Sequence, residues 1–96
     1  MFEVHVTVEP FSNDEDIEYA DNIAKSFGFR RAKLLMQKRP EDTPERSKFD
    51  TFFTGHYDSA EIAHNMMGNF ISRMREANFK VWRGKIEHII HDEHFT

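Results

Sequence analysis

Two imidazoles, two cations, two hydroxyls and a carboxylate recur in this 96-residue chain at a spacing of two: His5 and Thr7, Thr54 and His56, then Arg83, Lys85 and Glu87. A spacing of two keeps side chains on one face of an extended strand, about 7 Å apart. An imidazole that titrates near neutrality carries a proton, a second takes the complementary part, and lysine or arginine neutralises negative charge. A carboxylate such as Glu87 orients an imidazole. The set fits a small anionic or phosphorylated ligand, with Thr7, Arg83, Lys85 and Glu87 as contacts. It also fits phosphoester hydrolysis, with His5 and His56 as acid and base. Either chemistry requires three separate strands to lie side by side.

The pattern along the chain supplies those strands. In Phe2–Glu9, Val4, Val6 and Val8 alternate with Glu3, His5, Thr7 and Glu9, the period of a half-buried strand. Ser12 followed by Glu15 reads as a capping box, and Ile17, Ala20, Ile23, Ala24 and Phe27 form one helical stripe that Gly28 ends. From Phe29 to Gln37, Ala32, Leu34 and Met36 oppose Arg31, Lys33, Leu35 and Gln37. Residues 38–47 hold two prolines in a charged tract and read as a loop. Lys48–Tyr57 alternates again. Asp58 or Ser59 caps a second helix, Asp58 with Glu61 making a box, and Ile62, Met66, Phe70 and Met74 form its apolar face beside Ala63, Met67 and Ile71. That helix stops near Asn78, and Phe79–Ile90 is the last strand.

The order β-α-β-β-α-β predicts one α+β domain over residues 1–96 of ferredoxin-like topology. It has a four-stranded antiparallel sheet in the order 4-1-3-2, with two helices on one face. Val4, Val6, Val8, Ala32, Leu34, Met36, Phe53, Trp82, Ile86 and Ile90 are expected to face the helices. The open face receives Glu3, His5, Thr7, Lys33, Leu35, Gln37, Asp50, Phe52, Thr54, His56, Arg83, Lys85 and Glu87. Neighbouring strands lie about 4.8 Å apart, so the chemistry-bearing residues converge.

Composition removes whole classes. With no cysteine there is no disulfide framework, thiolate zinc site or cysteine nucleophile. Neither a signal-like N-terminus nor a membrane-length apolar run is present, so a cytoplasmic protein with no membrane partner is expected. A net charge of −4 disfavours nucleic acid, although Lys25, Arg30, Arg31, Lys33 and Lys38 form a basic stretch without acids. The third strand's aromatics lack the glycine-aromatic signature of an RNA-binding platform. His88 and His91 fall on opposite faces of an extended strand, so the tail His88-Ile-Ile-His91-Asp-Glu-His94 is read as a polar terminus. No metal or cofactor is expected. Leu35 and Phe52, apolar on an open face, offer the competing use: a homo-oligomer or partner-binding module without catalysis.

His5-Val-Thr7, Gly55-His56 and Arg83-Gly-Lys85-Ile-Glu87 together resemble a family of small uncharacterised bacterial and phage proteins of ferredoxin-like fold, over nearly the whole chain. His5-Val-Thr7-Val8 is also similar to one half of the paired His-x-Thr/Ser signature of the 2H phosphoesterases, which cleave cyclic phosphates and related esters. The second half of that signature is absent: Tyr57-Asp58 follows His56, and His88-Ile-Ile lacks the hydroxyl.

Overall fold

The computed structural model describes residues 1–32 and 51–90. Its elements are β1 (Phe2–Val8), α1 (Asp14–Ser26), β2 (Arg30–Arg31), β3 (Thr51–Tyr57), α2 (Ala60–Glu76) and β4 (Val81–His88). All pairings are antiparallel and the sheet order is β2-β3-β1-β4, the ferredoxin-like arrangement predicted. Val4, Val6 and Val8 of β1 are fully buried in one cluster with Ala20, Ile23 and Ala24 of α1 and Ala63, Phe70 and Met74 of α2. Both helices therefore cover the valine face and leave the His5 face open. Among the described residues no helix is long and apolar enough to cross a membrane.

Both helices end in the same motif. After α1, Gly28 takes φ +82° and donates its N–H to Lys25 O at 3.2 Å, while Phe29 N–H reaches Ala24 O at 2.9 Å. After α2, Asn78 at φ 69° donates to Arg75 O at 2.9 Å and Phe79 to Met74 O at 3.0 Å. These are Schellman closures, which need a residue that tolerates the left-handed region. At the other ends the caps differ from expectation. Asn13, not Ser12, caps α1, its carboxamide accepting from Asp16 N at 2.8 Å. Asp14, Glu15 and Asp16 occupy the first turn, where carboxylates favour the positive helix end. Ser59 caps α2 by accepting from Ile62 N, so the Asp58–Glu61 box does not form.

Four further predictions need correction. The phase of β2 is reversed. Arg31 pairs opposite the buried Phe53 and reaches Asp21 of α1 with two hydrogen bonds, 2.9 and 3.1 Å. Phe29 sets this phase by stacking on Phe70 at 4.4 Å, so Phe29 and Arg31, not Ala32, face the helices. In β4 a register shift places Val81 opposite Val8, and Val81 packs on the core where Trp82 was expected. Ile62 and Ile90 are 49% and 77% exposed. Each four-residue step overshoots a helical turn by about 40°, so Ile62 lies about 80° around the helix from Phe70. Ile90 lies beyond the end of β4. Leu34, Leu35, Met36, Gln37, Lys33 and the loop 38–47 fall outside the described residues.

Tyr57 ties the two halves together. Its hydroxyl donates to the Phe27 carbonyl at the end of α1, and its ring fills the space above Gly55, where an added Cβ would meet the ring at 2.8–3.0 Å. Burial raises the Tyr57 pKa above its ordinary value near 10. A raised pKa stabilises the fold fully below about pH 10, and that contribution is lost as pH rises through the folded value. Tyr57→Phe is expected to cost about 1 kcal/mol at neutral pH, the net worth of the hydrogen bond. It should also flatten the alkaline decline in stability, as read by denaturant unfolding between pH 8 and 11.

Candidate functional site on the open sheet face

Three rungs of cross-strand partners build the face. Glu3 stands between His56 on β3 and Glu87 on β4, His5 between Thr54 and Lys85, and Thr7 between Phe52 and Arg83. Directly opposed residues put their Cβ atoms about 4.5–5.5 Å apart on the same side of the sheet. The strict alternation of β1 thus brings His5, Thr7, His56, Arg83, Lys85 and Glu87 onto one surface.

Glu3 is the hub, a part the sequence reading did not give it. Its Oε1 lies 2.8 Å from His5 Nε2 and its Oε2 lies 2.7 Å from His56 Nε2. Each carboxylate oxygen therefore accepts from one imidazole N–H. His5 Nε2 is also 3.1 Å from Glu87 Oε1, and Lys85 Nζ is 3.7 Å from that same oxygen. Partial burial pushes the Glu3 pKa up, but the hydrogen bonds and charge of His56 and His5 outweigh it, and the carboxyl ends below the usual carboxylate value. The available signal was positional: Glu3 is two residues from His5 and shares a rung with His56.

Beside this network is a cleft of about 210 Å³ lined by His5, Thr7, Phe52, Arg83, Lys85 and Glu87. Clefts for drug-sized ligands run from about 300 to 1,000 Å³, so this one suits a phosphate group with a few attached atoms. Thr7 lines it at only 8% exposure. Among the described residues its hydroxyl has no hydrogen-bond partner, which leaves it for a ligand in the cleft. Phe52, the outward aromatic of β3, forms part of the wall.

No family model matches the chain, and no curated protein matches it.

The chemistry of the face therefore rests on its own side chains. Of the predicted site residues, His5, Thr7, Arg83, Lys85 and Glu87 meet in the cleft. His56 does not line it; its imidazole is held on the far oxygen of Glu3. Thr54 stands opposite His5 but lines a different hollow, of about 630 Å³, with Asp21, Lys25, Arg30 and Arg31. That hollow is larger, but it adjoins Ala32, the last described residue before 33–50, and its Arg31 is already committed to Asp21. Of the tail histidines, His88 stacks on Phe2 at 4.6 Å, while His91 and His94 lie outside the described residues.

Proposed function

We propose that the open face binds a small anionic ligand, foremost a phosphate ester, in the cleft between β1 and β4. The observation that carries this reading is a cleft in which Thr7, whose side chain makes no hydrogen bond among the described residues, stands beside Arg83 and Lys85. A hydroxyl and two cations are the donors a phosphate uses, and charge-assisted hydrogen bonds are the strong ones. The charges of β4, a sheet edge in the described structure, also suit a guarded edge better than one that adds strands from another copy.

Hydrolysis is the extension of this reading. Water adds to phosphorus, the ester P–O bond breaks, and the leaving oxygen takes a proton. His5 is the proton carrier within reach of the cleft, with Glu3 and Glu87 orienting its ring, and His56 acts on His5 only through Glu3.

Phenyl phosphate and a cyclic nucleotide, added separately in metal-free buffer, test binding. At ten times its Kd a ligand stabilises the fold by about 1.4 kcal/mol, a rise in Tm of about 6–11 °C for a domain of this size. The reading expects that rise in the native chain and none in the His5→Ala, Lys85→Ala double variant. Unchanged melting of the native chain with every phosphate ester overturns it.

A further inference from the structure

The same face gathers two carboxylates around one imidazole in a way that a phosphate site alone does not explain. Glu3 and Glu87 bring two carboxylates to His5, and Lys85 stands 3.7 Å from Glu87. One oxygen of Glu3, Nε2 of His5 and one oxygen of Glu87 all lie within 4.8 Å of one another. We propose that Glu3, His5 and Glu87 form a binding site for one divalent transition-metal ion such as Zn²⁺ or Mn²⁺.

The geometry needs little adjustment. Ligand atoms about 2.1 Å from an ion are separated by about 3.0 Å in octahedral and 3.4 Å in tetrahedral coordination. His5 Nε2 is already 2.8 Å from Glu3 Oε1 and 3.1 Å from Glu87 Oε1. An ion entering between them changes these contacts by about 0.1–0.2 Å in octahedral or about 0.3–0.6 Å in tetrahedral coordination and replaces hydrogen bonds with coordinate bonds. His5 ligates through Nε2 as a neutral imidazole with its proton on Nδ1. One imidazole and two carboxylates suit zinc or manganese better than a soft, thiolate-seeking ion. The three side chains are 25–46% exposed, so an ion reaches them from solvent.

His56 supplies the outer support. It holds the second oxygen of Glu3 at 2.7 Å, which fixes the carboxylate plane as partners of metal ligands do. Three protein ligands leave coordination positions open toward the cleft, so the ion's outer side faces the place where an anion would sit. The ion site stands without that anion: its test uses metal alone, and the phosphate test uses metal-free buffer.

The experiment is calorimetric titration of the full chain with ZnCl₂ near pH 7, repeated by electron paramagnetic resonance with MnCl₂. One ion per chain is expected. Glu87→Gln, on an exposed position of the edge strand, should weaken binding at least tenfold, as should Glu3→Gln, with circular dichroism confirming that both fold. His56→Ala should weaken it about tenfold, in the range for partners of metal ligands. Joint replacement of His91 and His94 by Ala should leave affinity unchanged. Binding that survives Glu87→Gln and Glu3→Gln but disappears with the tail histidines overturns the proposal, as does no binding by the native chain.

Discussion

Phe70→Ala should destabilise the protein by about 3–5 kcal/mol, the range for removing a buried aromatic ring and leaving a cavity. Phe70 is fully buried on α2 and is where three aromatic contacts meet: Phe29 stacked at 4.4 Å, Phe53 edge-on at 5.3 Å and Phe27 tilted at 6.2 Å. These partners come from the end of α1, the turn into β2 and the centre of β3. The ring therefore joins helix to helix and both helices to the sheet. A domain of this size has about 5–15 kcal/mol in total, so the variant would be marginal or unfolded at 37 °C. Urea unfolding of the variant beside Ile62→Ala is the check. Ile62 is on the same helix but half exposed, and its loss should move the midpoint little.

The second large effect concerns the ligand. Replacing both Arg83 and Lys85 by Ala should abolish measurable phosphate-ester binding. A hydrogen bond to a charged group is worth about 1.5–3 kcal/mol, so each loss weakens affinity about 10- to 100-fold. Both side chains are exposed on the edge strand, and among the described residues Lys85 makes only a long 3.7 Å ion pair with Glu87, so folding stability should change little. Glu87→Gln in metal-free buffer should act in the opposite direction and tighten phosphate binding, because it removes a like charge from the cleft wall. Isothermal titration of the native chain, the double variant and Glu87→Gln with phenyl phosphate separates these outcomes.

The architecture was legible in the sequence because several local signals agreed. Val4, Val6 and Val8 gave the phase of β1, Phe53 and Gly55 that of β3, and Gly28 and Asn78 stand where the helices turn off. Strand order followed from topology, and it brought His5, Thr7, Arg83, Lys85 and Glu87 to one cleft. What escaped was set by tertiary contact. The β2 phase depends on Phe29 meeting Phe70, which no alternation in residues 29–37 reveals. The replacement of Trp82 by Val81 opposite Val8 comes from a one-residue shift in pairing. The burial of Thr7 depends on its neighbours across the sheet, and the central place of Glu3 depends on His5 and His56 turning toward the same carboxylate. Alternation assigns a residue to a face; it does not say which groups on that face touch.

The most direct measurement of the central claim is a two-dimensional amide NMR titration of the native chain with phenyl phosphate in metal-free buffer. The cleft reading predicts saturable shifts at the amides of His5, Thr7, Arg83 and Lys85, with Asp21 and Arg31 at the larger hollow unmoved. Saturable shifts confined to Arg30, Arg31 and Lys25, or none at Thr7 and Arg83 at any ligand concentration, would contradict it.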